Sequence, residues 1–302
     1  MKLPRRALVL GGAASLVARR AGAEPALVTL GRFATSYAFD AEHKARASNV
    51  QLAAEAIDGK KVPAGGTFSF NDAVGERTAA FGYAKALVLR DGMLAEGAGG
   101  GACQVASTLH AAALLAGLDV ALRVPHSRPS AYVRMALDAT VAYPKIDLKI
   151  ANSTADEVGI VARAANGNIE IRIQGITRRD VTLTTEVLDR TAIPRTFEPD
   201  PKVGPDEARR TAFGIPGYRV RRVRTLVQDD GTPRHDVRID TYAAVPEVLR
   251  VAPGFDHARL APPEDEEHAA MAKVTVTTAP TALRPAAAQL KPSTLVTLDN
   301  RT

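Results

Sequence analysis

The spacing of hydrophobic positions changes several times along the chain, and each change predicts an element. The run ALVTLGRFATSYAF, residues 26–39, reads as a strand. Residues 41–59, AEHKARASNVQLAAEAIDG, read as a helix in which Val50, Ala53, Ala54 and Ile57 recur at helical spacing before Gly59 closes it. Two short strand-like runs follow at 67–70 and 86–90, inside sequence rich in Gly and Pro. The run 97-GAGGG-101 then leads into a helix ending near Gly117, with Val105, Leu109, Ala112, Ala113 and Ala116 on one apolar stripe. Beyond it lie three strand-like runs, 119-DVALRV, 146-IDLKIAN and 158-VGIVARAANGNIEIRIQG. The last holds Asn166-Gly167 between alternating segments, a strong hairpin signal.

These elements predict an α+β fold, a helix bearing Cys103 packed on an antiparallel sheet, within a domain spanning 24–175. Residues 176–254 predict a second, elongated all-β module, from the runs VTLTTEVL, GYRVRRVRTLVQ and HDVRIDTYAAV and a turn at 229-DDG-231. Residues 255–302, rich in Pro, Ala, Thr and acidic side chains without a sustained period, read as a disordered tail. No repeat of solenoid length is present.

The N-terminus alters the electrostatic reading. Residues 1–23 combine a basic start, an apolar run from Ala7 to Val17 and Ala21-Gly22-Ala23 before Glu24, the pattern of a cleaved secretory signal. Arg5-Arg6 ahead of the apolar run suggests the twin-arginine route, and an uncleaved anchor helix is the alternative. The expected mature protein is exported to the periplasm or outer face of a bacterial envelope, with no transmembrane span after cleavage. Removing Lys2, Arg5, Arg6, Arg19 and Arg20 lowers the formal charge from +6 to about +1, so the basic balance does not argue for nucleic acid as a partner.

An exported chain ordinarily uses cysteines in pairs, yet this one has a single cysteine, Cys103. It is therefore a buried inert thiol, half of an intermolecular bridge, or a reactive group. Its position favours reactivity. Three glycines precede it, the helix that follows points its positive end at the sulfur, and the first-turn N–H groups of Gln104 and Val105, with the Gln104 side chain, offer donors to an oxyanion. The bland reading is a flexible connection followed by a small core residue.

A nucleophilic thiol needs a base, and the base needs an orienting group. His110 lies seven residues along the same helix, about 10 Å away, too far for direct proton transfer. His126, in 123-RVPHSRPSAY-132, follows a strand returning from the cysteine helix, and Asp138 lies in another extended run. The alternatives are a surface-loop histidine and a capping carboxylate. One cysteine and scattered histidines offer no metal-ligand spacing, and GAGGGAC lacks the Lys-Ser/Thr of a phosphate loop, so neither metal nor cofactor is expected.

The blocks 65-GGTFSFNDAVGERTAAFGYAKALVL-89, 99-GGGACQVASTLHAAALLAGL-118, 126-HSRPSAY-132 and 137-LDATVAY-143 resemble the signature blocks of the VanW family, named from vancomycin-resistance clusters. That resemblance covers roughly residues 28–175 and implies a bacterial cell-envelope protein. Some members are L,D-transpeptidases, in which a cysteine attacks the amide after the third residue of a peptidoglycan stem peptide and the thioester passes to an amine or to water. It implies Cys103 as nucleophile, His126 as base and Asp138 as orienting group, with Asp147 in reserve. Gly101, Gln104 and Ser127 would line the substrate and oxyanion site. Two positions depart from the pattern, Ala106 where serine is common and Ala136 where a glycine is expected. Residues 186–252 are loosely similar to the G-five adhesion module, which implies wall glycan as a second partner. The competing expectations are a non-catalytic peptidoglycan-binding scaffold and a redox protein using the free thiol.

Overall fold

The computed structural model describes residues 26–90, 93–228, 230–263 and 296–299. The expected signal segment 1–23 lies outside them, as does most of the expected tail.

Strand β1 (Val28–Ser36) enters the core by alternation, with Leu30 and Phe33 buried. It pairs antiparallel with β9 (Asn168–Gly175), which pairs with β8 (Val158–Ala165), and β2 (Lys61–Val62) completes the sheet order β1-β9-β8-β2. The β8–β9 hairpin turns on Asn166 and Gly167 at φ 50° and 77°, two consecutive left-handed residues whose twist matches the strands they join. Helix α1 (Lys44–Ile57) buries Val50, Ala53, Ala54 and Ile57 against this sheet.

Strand β3 (Thr67–Ser69) passes directly into α2 (Phe70–Val74), capped by the Ser69 hydroxyl accepting from Asp72 N–H. A hairpin of β4 (Lys85–Arg90) and β5 (Met93–Ala98) leads to α3 (Ala102–Leu115), which carries the cysteine. α3 is apolar nearly all round and buried nearly all round, so it forms the centre of the first core. Gly31 of β1 lets it approach: a Cβ there would stand 2.6 Å from Ala112 O. Strands β6 (Asp119–Leu122) and β7 (Lys149–Ala151) form a separate sheet in the order β3-β7-β6.

Among its described residues the second half is built chiefly from strands. β10 (Val181–Thr191) and β13 (Gly217–Val227) form a long antiparallel pair, flanked by β14 (Pro233–Tyr242) and β16 (Val296–Asp299) in the order β14-β13-β10-β16. β11 (Arg195–Pro199), β12 (Ala208–Ala212) and β15 (Glu247–Val251) make a small mixed sheet in which β15 runs parallel to β11 and antiparallel to β12.

The expected α+β class is corrected by this arrangement. Among the described residues the protein is mostly β, with three α-helices against sixteen strands, and α2 is a single short turn. The strand runs flanking the cysteine helix do not assemble into one antiparallel sheet beneath it. They divide among the β1-β9-β8-β2 and β3-β7-β6 sheets and the β4-β5 pair. The physical reason is pairing partner. Alternation in a run shows that one face is buried but not which strand supplies its hydrogen bonds.

Candidate active site

Cys103 is the second residue of α3, and the chain reaches it through Gly99 and Gly101 at φ 81° and 115°. These two glycines admit close neighbours as well as unusual torsions. A Cβ on Gly99 would lie 2.6 Å from the Arg77 Cβ, and one on Gly101 would lie 2.7 Å from Val50 Cγ2 and 3.2 Å from Arg46 O. The thiol is only partly buried. Its sulfur lies 3.5 Å from both the N and the O of Val141.

A two-strand register delivers the partners. Val124 and Thr140 form an antiparallel bridge, with Thr140 N–H donating to Val124 O at 2.8 Å. Two residues outward along each strand, His126 falls opposite Asp138. Asp138 Oδ2 accepts both the His126 main-chain N–H at 2.7 Å and Nδ1 at 2.9 Å. Nε2 is thereby left for the sulfur and for the Tyr132 hydroxyl, 3.3 Å away.

Asp138 Oδ1 is held equally firmly. It accepts Arg123 Nη2 at 2.8 Å and the Tyr242 hydroxyl at 2.6 Å, and that hydroxyl in turn accepts Ala136 N–H at 2.7 Å. Arg123 also reaches Asp240, so a buried arginine bridges the Asp138 carboxylate to one on β14. The second half of the chain therefore contributes directly to the surroundings of the His–Asp pair.

The electrostatics follow from these contacts. Burial opposes ionisation of Asp138, but its hydrogen bonds from His126 and the Arg123 charge prevail and hold the carboxyl well below its ordinary range. Burial alone would lower the basicity of His126, yet Asp138 and the thiolate raise it to about 9. Burial also disfavours the Cys103 thiolate, but the His126 imidazolium, the Val141 N–H and the Arg77 charge outweigh it, and the thiol falls below its ordinary value. The two shifts run in opposite senses, thiol down and imidazole up, the direction that favours a thiolate–imidazolium pair.

The remaining expected positions lie as follows. Gly101 caps α3 beside the thiol. The Gln104 side chain is buried and fully engaged, donating to Thr35 Oγ1 and Ser36 O and accepting from Arg46 Nη2 at 2.7 Å. The Gln104 and Val105 N–H groups both donate to Gly101 O. Cys103 N–H has no backbone acceptor among the described residues and stands at the open end of the helix. Ser127 is exposed, and its carbonyl accepts Ala243 N–H at 3.0 Å. Asp147 accepts from Ser69 Oγ, Asn71 N–H and Leu148 N–H, so it anchors α2 and makes no hydrogen bond with His126. His110 is buried with Nδ1 on Leu137 O at 2.8 Å, and burial beside Arg123 and Arg222 keeps it neutral. Sequence reasoning did not single out Arg46, Arg77, Arg123, Tyr132 or Tyr242. Arg77 and Tyr132 stood inside blocks already recognised, but no spacing rule marked them.

A partly open cysteine at a helix N-terminus, facing an imidazole that a buried carboxylate orients, defines a Cys–His–Asp site on a mostly β chain. Residues 45–174 match the family model described as VanW like protein, and the chain carries a VanW-family domain over that span. It is also 40% identical over 144 residues to the Bacillus subtilis (strain 168) protein described as "Uncharacterized protein YoaR", a match covering 48% of this chain and 47% of that one. The chain thus spans about half the length of the curated relative it matches. The G-five resemblance of the second module finds no counterpart in these matches. Among the described residues no helix is long and apolar enough to cross a membrane.

Proposed function

We propose that the protein is an exported cell-envelope enzyme, a cysteine acyltransferase acting on peptidoglycan stem peptides as an L,D-transpeptidase or, with water as acceptor, a hydrolase. The observation that carries this reading is the Cys103 thiol facing a His126 imidazole that Asp138 Oδ2 holds through both Nδ1 and the main-chain N–H. A merely structural thiol has no use for a charged base whose own orientation is fixed by two further hydrogen bonds.

In this reading the Cys103 thiolate attacks the carbonyl carbon of the third stem residue, and the carbonyl π electrons move to oxygen. Cys103 N–H, aligned with the helix dipole, is the donor placed to receive that oxyanion. Collapse of the intermediate expels the amine, which takes the His126 proton and leaves a thioester. An acceptor amine or water then loses a proton to His126 as it attacks the thioester, and the thiolate departs to rejoin the imidazolium. Incubation of the purified protein with disaccharide tetrapeptide, followed by intact mass, tests this. A covalent acyl adduct on the wild type and none on Cys103→Ser is the expected result, and no adduct on either overturns the reading.

A further inference from the structure

Two arginines close on the thiol through the glycine loop. Arg77 lies over Gly99 with its guanidinium 5.5 Å from the Phe70 ring centroid, and Arg46 joins Gln104, the residue after the cysteine, while facing the Tyr132 ring at 5.8 Å. Neither has a carboxylate within ion-pairing distance among the described residues. Arg46 is held by one amide oxygen, and Arg77 Nη2 by Asn71 Oδ1 at 2.7 Å. The Nε and Nη1 atoms of Arg77 are buried and have no acceptor among the described residues.

Buried guanidinium donors without acceptors are costly, so each calls for an explanation, and beside a reactive thiol a ligand is one. Burial draws both guanidinium groups below their ordinary basicity, and for Arg77 the largest opposing charge is the Cys103 thiolate. Asp147 also opposes the Arg77 charge, but from beyond ion-pairing distance and with its oxygens already engaged by Ser69 Oγ and the Asn71 and Leu148 N–H groups. The Asp138 carboxylate already faces Arg123 and His126, so Arg46, Arg77 and the imidazolium together leave an excess of positive charge around one thiolate.

We propose that Arg46 and Arg77 form an anion subsite beside Cys103, which receives a free carboxylate carried by the acyl donor close to the bond that is cleaved. This rests on the acyl-transfer reading above and narrows it. The donor is an anionic peptide, and amidation of that carboxyl removes its handle. A planar guanidinium matches a carboxylate in two parallel hydrogen bonds, which fixes the orientation of the scissile carbonyl over the sulfur.

The subsite is tested apart from the reaction by comparing thiol alkylation by iodoacetate, an anion, with iodoacetamide, its neutral counterpart. Thiolate content affects both reagents alike, so the rate ratio reports the local charge. The expected ratio for the wild type exceeds that of a free cysteine and falls roughly fivefold in Arg77→Gln and in Arg46→Gln. Arg77→Lys recovers most of it. Should Arg77→Gln fail to fold, the half-buried Arg46→Gln and the Arg77→Lys variant carry the comparison. Ratios identical in the wild type and in folded Gln variants overturn the subsite, whether or not a stem peptide acylates the protein. A charge-selective ratio without acylation by the tetrapeptide upholds the subsite and rejects that peptide as the donor.

Discussion

The Tyr242 hydroxyl, at the end of β14, donates to Asp138 Oδ1 at 2.6 Å and accepts Ala136 N–H at 2.7 Å. A residue more than one hundred positions downstream thus fixes both the carboxylate behind His126 and the backbone just before it. Burial, and the negative charge of Asp138 beside it, keep that phenol protonated and push its ionisation above the ordinary tyrosine range, so it stays a donor throughout the working pH range. Tyr242→Phe should therefore cost about 1–3 kcal/mol of stability, because it orphans a buried N–H and removes a donor from a charged acceptor. Urea unfolding measures this. An unchanged midpoint would show that the contact between the two halves is energetically empty.

The pH dependence of the thiol supplies a second expectation. His126 and Val141 lower the Cys103 thiol against the opposing pull of burial, so alkylation by iodoacetamide should rise with an apparent pKa below that of a free thiol. In His126→Ala burial acts with far less opposition, and the apparent pKa should move up past the ordinary value. Acyl transfer adds a limb that alkylation lacks. The leaving amine needs the imidazolium proton, so turnover should decline as pH rises through about 9, where His126 loses it. Turnover that continues to climb above that point contradicts His126 as the acid.

How far the sequence disclosed this site depends on the residue. Cys103 at the head of α3 was legible because glycines followed by an apolar period mark a helix start. The Asn166-Gly167 hairpin was legible because those residues tolerate positive φ. His126 and Asp138 were legible as types in extended runs, but their apposition depends on the Val124–Thr140 bridge, a register that no local pattern encodes. The glycine expected at 136 has a structural cause here, since Ala136 adopts φ 68°, a conformation costly for any residue with a Cβ. Arg77, Arg46 and Tyr242 were hidden for a different reason. Each looks like an ordinary polar residue until long-range packing brings it to the site. The α+β expectation failed on the same ground, because strand partners are a tertiary property.

Asp138 also sets a stability limit at low pH. Its carboxyl is held below the unfolded value near 4, so its contribution is fully present above about pH 4 and is lost as pH falls toward the folded value. Thermal midpoints of the wild type should therefore drop steeply below pH 4. Asp138→Asn should lose about 3–5 kcal/mol at neutral pH, since it leaves Arg123 with Asp240 alone, and its acid dependence should be flatter. Parallel wild-type and variant curves would place the acid-sensitive group elsewhere.

The glycine before the cysteine helix can be separated into torsion and space. Gly101 sits at φ 115°, and a Cβ there would approach Val50 Cγ2 to 2.7 Å. Gly101→Ala meets both penalties and should cost about 1–3 kcal/mol, with slower alkylation of Cys103 as the loop shifts to relieve them. Val50→Ala in the same chain removes the contact and leaves the torsion. The double variant should regain part of the alkylation rate and little of the stability, because deleting two buried methyls of Val50 carries its own cost of about 1 kcal/mol. Full recovery of the rate would mean that the glycine is needed only to admit Val50. No recovery would mean that the left-handed turn itself aims the sulfur at His126.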